Sequence, residues 1–108
     1  QCNNVYIFPA VGLGALASRA RRITDGMMLE AARTLAEYSP ALADPNASLL
    51  PPLTDVRRIT RAIAVAVGSE AQRSGVAPAT SEESLMRAVH ETQWTPRYAS
   101  ERLAYQRT

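Results

Sequence analysis

Residues 54–75 read TDVRRITRAIAVAVGSEAQRSG, and their periodicity decides the class of fold. Val56, Ile59, Ile63 and Val67 recur at steps of three and four, the spacing that lines one face of an α-helix. Thr54 or Asp55 offers a side-chain cap at the start, and Gly75 offers a C-terminal stop. Arg57, Arg58 and Arg61 fall on the opposite side. A helix of this length with one apolar stripe needs other elements to cover it, so the neighbouring segments are read for helices that can do so.

Upstream, Thr24-Asp25 reads as an N-cap with a carboxylate in the first turn, opening a helix to about Tyr38 with Met28, Ala31, Ala32 and Leu35 inward. Downstream, Thr80-Ser81-Glu82-Glu83 has the pattern of a capping box, with Thr80 capping and Glu83 reaching back. It predicts a helix to about Thr92 with Leu85, Met86 and Val89 inward. At the other end, Val5-Tyr6-Ile7-Phe8 suits a short extended segment that Pro9 terminates. A helix from about Ala10 to Arg19 would follow, ending in the solvated arginines Arg19, Arg21 and Arg22. The stretch 39–52 holds four prolines and reads as a loop anchored by Leu49 and Leu50. The tail 93–108, with Trp94, Pro96, Tyr98 and Tyr105, reads as a docked coil or short helix. The expected fold is mainly α, a short N-terminal extended segment plus four to five helices.

The composition fits that class. Of 108 residues 46% are hydrophobic and 20% charged, with a net charge of +2, which places the chain among globular sequences and leaves room for one domain. A complete two-domain enzyme does not fit. All 12 basic residues are Arg, so lysine chemistry is excluded from this chain. Cys2 is the single cysteine, which rules out an internal disulfide and a cysteine metal cluster. The uncharged run from Gln1 to Ser18 contains Asn3, Asn4 and Pro9, falls short of the ~20 apolar residues of a membrane span, and lacks the basic start of a signal peptide. The expectation is a cytoplasmic protein without a membrane partner. The start at Gln1, with apolar sequence following almost at once, suggests a piece cut from a longer chain.

Few residues offer chemistry. Gly12-Leu13-Gly14-Ala15-Leu16-Ala17 matches the dinucleotide pattern G-x-G-x-x-G/A, yet no second strand and no acidic residue about 20 positions on complete it. The spacing favours glycines that let a helix pack closely over a phosphate loop. Asn3 and Asn4 are two carboxamides beside apolar sequence, suited to a carboxylate, a hydroxyl or another carboxamide, or else to a turn entering a strand. His90 has no second metal ligand at a matching spacing, and Cys2 has no nearby base. Arg57, Arg58 and Arg61 read first as a solvated face and second as a surface for an acidic partner or nucleic acid, although Asp55 and Glu70 share their helix.

Four blocks taken together carry a resemblance: QCNNVYIFP at 1–9, ARRITDGM at 20–27, LLPPL at 49–53 with DVR at 55–57, and QWTPRY at 93–98. In order and over nearly the whole chain, they resemble the C-terminal region of malic enzymes. The resemblance implies oxidative decarboxylation of malate to pyruvate and CO2, with NAD or NADP and with Mg2+ or Mn2+. It implies that residues 1–53 close a Rossmann-type NAD(P)-binding domain and that 54–108 form a helical C-terminal domain and tail contributing to contacts in a homo-oligomer. The family's catalytic tyrosine and lysine, its metal carboxylates and its nucleotide fingerprint would lie upstream. The piece alone is then expected to bind no cofactor and no nucleic acid and to be inactive. Asn3 and Asn4 match the family's asparagines that border the active site and contact malate or the nicotinamide end of the cofactor. Gly12 and Gly14 match a packing helix, and Cys2 stands where many relatives have glycine. The remaining alternative is a small helical module that uses its arginine face to bind an acidic partner or nucleic acid.

Overall fold

The structure is a computed structural model that describes residues 2–38 and 53–94, with side chains for 7–38 and 56–94. Among these residues the fold is four helices: α1 (Cys2–Ser18), α2 (Asp25–Tyr38), α3 (Leu53–Arg73) and α4 (Glu82–Gln93). The predicted loop 39–52 with Leu49 and Leu50, and the tail from residue 95, lie outside the described residues.

Helix α3 is the long helix expected from the 54–75 pattern, and α1, α2 and α4 all pack on it. Ile63 and Val67 are fully buried and Ile59 nearly so, while Val56 is partly covered. Burying a side chain such as Ile63 contributes about 1.5–3 kcal/mol. One cluster joins Val11, Met27, Ala31 and Leu35 to Ile59, Ile63 and Val67, and a second joins Leu13 and Ala64 to Leu85 and Val89. The first holds α1 and α2 to one side of α3, and the second holds α4 to another.

The N-terminal segment differs from expectation. Val5 to Phe8 belong to α1, which runs through Pro9 without a break, so the predicted extended segment is helical. β-branched residues favour strands only weakly, and a strand must pair its N–H and C=O groups with a neighbour. No strand stands among the described residues, whereas a helix satisfies these groups within its own segment. Pro9 forgoes one of those bonds.

Three smaller corrections concern faces and caps. In α2 the buried residues are Met27, Ala31, Thr34 and Leu35, while Met28 is partly covered and Ala32 exposed. The apolar positions fit two registers about one residue apart, and contact with α3 selects between them. Thr24 Oγ1 does cap this helix, accepting from the Met27 N–H at 3.1 Å. At α4 the cap is Ser81 instead of Thr80: its Oγ accepts from the Ser84 N–H at 3.1 Å. Thr80 Oγ1 instead accepts from Gln72 Nε2 at 2.8 Å, a tertiary contact invisible to a local pattern. Met86 is 52% exposed, because the face of α4 centred on Leu85 and Val89 is the one that meets α3 and α1.

Both α1 and α3 end in the same way. Beyond α1, Arg19 takes φ 66°, and the N–H groups of Arg19 and Ala20 donate back to Leu16 O at 3.2 Å and Ala15 O at 2.9 Å. Beyond α3, Gly75 takes φ 86°, with Gly75 and Val76 donating to Gln72 O at 3.2 Å and Ala71 O at 3.0 Å. These are Schellman ends, in which a left-handed residue turns the chain back on the last carbonyls. The two ends are tied together: Arg21 N–H donates to Val76 O at 2.8 Å and Arg21 Nη2 to Gly75 O at 2.9 Å.

Only one of these left-handed positions carries glycine. A Cβ at φ near +60° costs about 1–2 kcal/mol, partly offset by the lower freedom of a non-glycine residue when unfolded. Arg19→Gly is therefore expected to raise the melting temperature by a few degrees, and Gly75→Ala to lower it by a similar amount. Gly75 has nothing within 4 Å of an added Cβ, so thermal unfolding of that variant reads backbone strain alone.

On the outer face of α2, Arg33 bridges Glu30 (2.6 Å) and Glu37 (2.9 Å). Its hydrogen bond to Glu30 holds that carboxyl below the usual carboxylate range. The shift is downward, so the associated stabilisation is present above the unfolded pKa of about 4.3 and is lost as pH falls through the folded value. In Arg33→Gln, the Glu30 titration followed by NMR should move up towards the unperturbed value.

Candidate functional site

The residue pair singled out by sequence lies in the first turn of α1, where Asn3 and Asn4 stand one helix length from the tied end at Ser18. The first backbone N–H groups of a helix have no partner within it, and no acidic residue occupies this turn. That end carries the positive pole of the helix dipole and favours an anionic or carbonyl-bearing group. The side chains of Cys2, Asn3 and Asn4 lie outside the described set.

Gly12 and Gly14 sit inside α1, both buried, and form no loop. A Cβ built on Gly14 would stand 2.6 Å from Ala64 O and 2.9 Å from Val67 Cβ, so this glycine lets α1 settle directly on the α3 backbone. The G-x-G-x-x-A run here lies within a helix that packs on another, as the close-packing reading expected.

A second constellation joins α3 to α4. The Arg57 guanidinium lies 4.5 Å from the centre of the Trp94 ring, and Arg61 Nη1 lies 3.0 Å from His90 Nδ1. The His90 and Trp94 rings meet edge to face at 6.3 Å, and Gln93 Nε2 donates to Arg57 O at 3.3 Å. A guanidinium only donates, so this contact is a hydrogen bond in the tautomer that leaves His90 Nδ1 as an acceptor. The arginines read from sequence as a solvated face stay exposed at Arg57 and Arg58 and are also engaged within the molecule. Arg57 covers an indole, Arg61 meets an imidazole, and Arg58 also has an interaction partner. The signal for this cluster was present: Arg57 with Arg61 and His90 with Trp94 are both four-residue pairs. Which helix faced which was not.

A shallow open cleft of about 350 Å³ lies beside it, walled by Tyr38, Arg58, Arg61, Val65 and Met86 among others. No group of three or more His, Cys, Asp or Glu side chains among the described residues is placed to hold a metal ion. Among the described residues no helix is long and apolar enough to cross a membrane.

Comparison with known proteins places this geometry in context. The family model described as malic enzyme, NAD binding domain, matches residues 1–72. The chain belongs to the malic enzyme family. An NAD-dependent malic enzyme of Edwardsiella ictaluri (strain 93-146) is 52% identical over 108 residues, all of this chain and 18% of that protein. One from Cronobacter sakazakii (strain ATCC BAA-894) is 49% identical over 102 residues, 94% of this chain and 18% of that protein. One from Pectobacterium carotovorum subsp. carotovorum (strain PC1) is 47% identical over 108 residues. The chain spans about 18% of the length of these curated relatives. The matched part of this malic enzyme chain includes Asn3, Asn4, the packing glycines and most of α3.

The Arg57 and Trp94 contact can be read directly, because Trp94 is the single tryptophan. Arg57→Gln should change its emission and destabilise the fold by about 0.5–1 kcal/mol in urea titrations, the usual worth of an exposed cation–π pair.

Proposed function

We propose that this chain is the C-terminal piece of an NAD(P)-dependent malic enzyme, which oxidatively decarboxylates malate to pyruvate and CO2. The observation that carries this reading is identity of about half of all positions, along essentially the whole chain, to proteins described as NAD-dependent malic enzymes. In this reading residues 1–53 complete the Rossmann-type NAD(P)-binding domain, and 54–108 form its helical terminal domain and tail. The rest of the protein supplies the catalytic tyrosine and lysine and the ligands for Mg2+ or Mn2+. The absence of lysine from the chain agrees with this division. The piece by itself is inactive, and the whole enzyme is a cytoplasmic homo-oligomer.

The role of this chain's own residues in that chemistry falls to Asn3 and Asn4. Neutral carboxamides can donate to a malate carboxylate or hydroxyl, and can donate to and accept from a nicotinamide carboxamide, without adding charge beside the hydride path. Their place on the first turn of α1, at the positive pole of a helix without acidic residues there, is consistent with an anionic substrate group. The nicotinamide cofactor supplies the hydride acceptor when bound.

The test is malate-dependent reduction of NAD+ and of NADP+ with Mn2+ by the full-length protein, as wild type and as Asn4→Ala. Loss of a hydrogen bond to a charged group is worth about 1.5–3 kcal/mol, so kcat/KM is expected to fall by roughly 10- to 100-fold with an unchanged melting temperature. Lack of malate-dependent reduction in the wild type would overturn the assignment.

A further inference from the structure

The Asn3-Asn4 turn and the close contact of Gly14 lie on one continuous helix. Helix α1 is fixed at its far end, where Arg21 N–H and Arg21 Nη2 hold Val76 O and Gly75 O at 2.8 and 2.9 Å. Four residues before Ser18, Gly14 meets the α3 backbone so closely that an added Cβ would lie 2.6 Å from Ala64 O, 2.9 Å from Val67 Cβ and 3.0 Å from Val67 Cγ1. Ala64 O is a backbone atom of a helix buried between three others, so it has no rotamer with which to yield.

We propose that Gly14 is a positioning residue for Asn3 and Asn4, setting their place through the tilt of α1; this rests on the reading of that pair given above. The geometry is that of a lever. With a rise of about 1.5 Å per residue, Gly14 stands roughly 6 Å from the tied end and Asn4 roughly 21 Å. A carbon meets a carbonyl oxygen comfortably at about 3.3–3.6 Å, so a methyl at residue 14 drives the helices apart by roughly 0.7 Å. Carried along α1, which is continuous to Cys2, this becomes about 2.5 Å at Asn4. A displacement of 1 Å in a substrate-positioning group can lower turnover by about 100-fold.

A double-mutant cycle in the full-length enzyme separates positioning from general damage. kcat/KM for malate is measured for wild type, Gly14→Ala, Asn4→Ala and the double variant. The expected result is a loss of about tenfold or more in Gly14→Ala, with the double variant within about twofold of Asn4→Ala alone. Hydrogen exchange in the N-terminal turns of α1 should also quicken in Gly14→Ala. Equal losses in both backgrounds, or unchanged exchange, would overturn the proposal. Full activity in Gly14→Ala beside a damaged Asn4→Ala would overturn it while leaving the role of Asn4 standing, and an undamaged Asn4→Ala would overturn both. If Gly14→Ala does not fold, Val67→Ile presses on the same contact from the α3 side, and the same cycle decides.

Discussion

Helix α3 serves three neighbours at once, and it does so because α1 comes down on it with no side chain at residue 14. The Gly14 to Ala64 approach sets the distance between α1 and α3, along whose contact Leu13, Ala15, Ile63 and Val67 are buried. Gly68, one turn on from Ala64, repeats the device toward α4: an added Cβ there would meet Leu85 Cδ1 at 2.9 Å. Small residues let helices approach, and close approach is what allows Ala, Val and Ile to fill the interior without voids.

The ends of the helices complete this arrangement with hydrogen bonds instead of apolar contact. Schellman turns after α1 and α3 leave two carbonyls, Gly75 O and Val76 O, facing Arg21, which takes both. The arginine that sequence alone placed in solvent therefore links two helix ends. Arg57 and Arg61 likewise join α3 to α4 through Trp94 and His90. In a chain whose basic residues are all arginine, the planar guanidinium that stacks on rings and donates in several directions is used for structure as much as for solubility.

The membership of this chain in the malic enzyme family sets the meaning of these contacts. The chain spans about 18% of its curated relatives, and the two asparagines that we propose for its part in the chemistry stand on one helix turn.

The sequence by itself determined a long helix from Thr54 or Asp55 to about Ser74 with its Gly75 stop, the cap at Thr24, a helix from about residue 80 to Thr92, and the family, through four short blocks in order. Those features are local: a period of 3.6, a capping hydroxyl or a positive φ needs only nearby residues to be expressed. The tertiary structure alone decided the helical state of Val5 to Phe8, the face that α2 buries, the shift of the α4 cap from Thr80 to Ser81, and the pairing of Arg57 and Arg61 with Trp94 and His90. Each of these depends on which surfaces meet. Strand propensity gives way where no partner strand stands, two registers of an apolar stripe are equivalent until a neighbour covers one, and a hydroxyl caps or does not according to what Gln72 already holds.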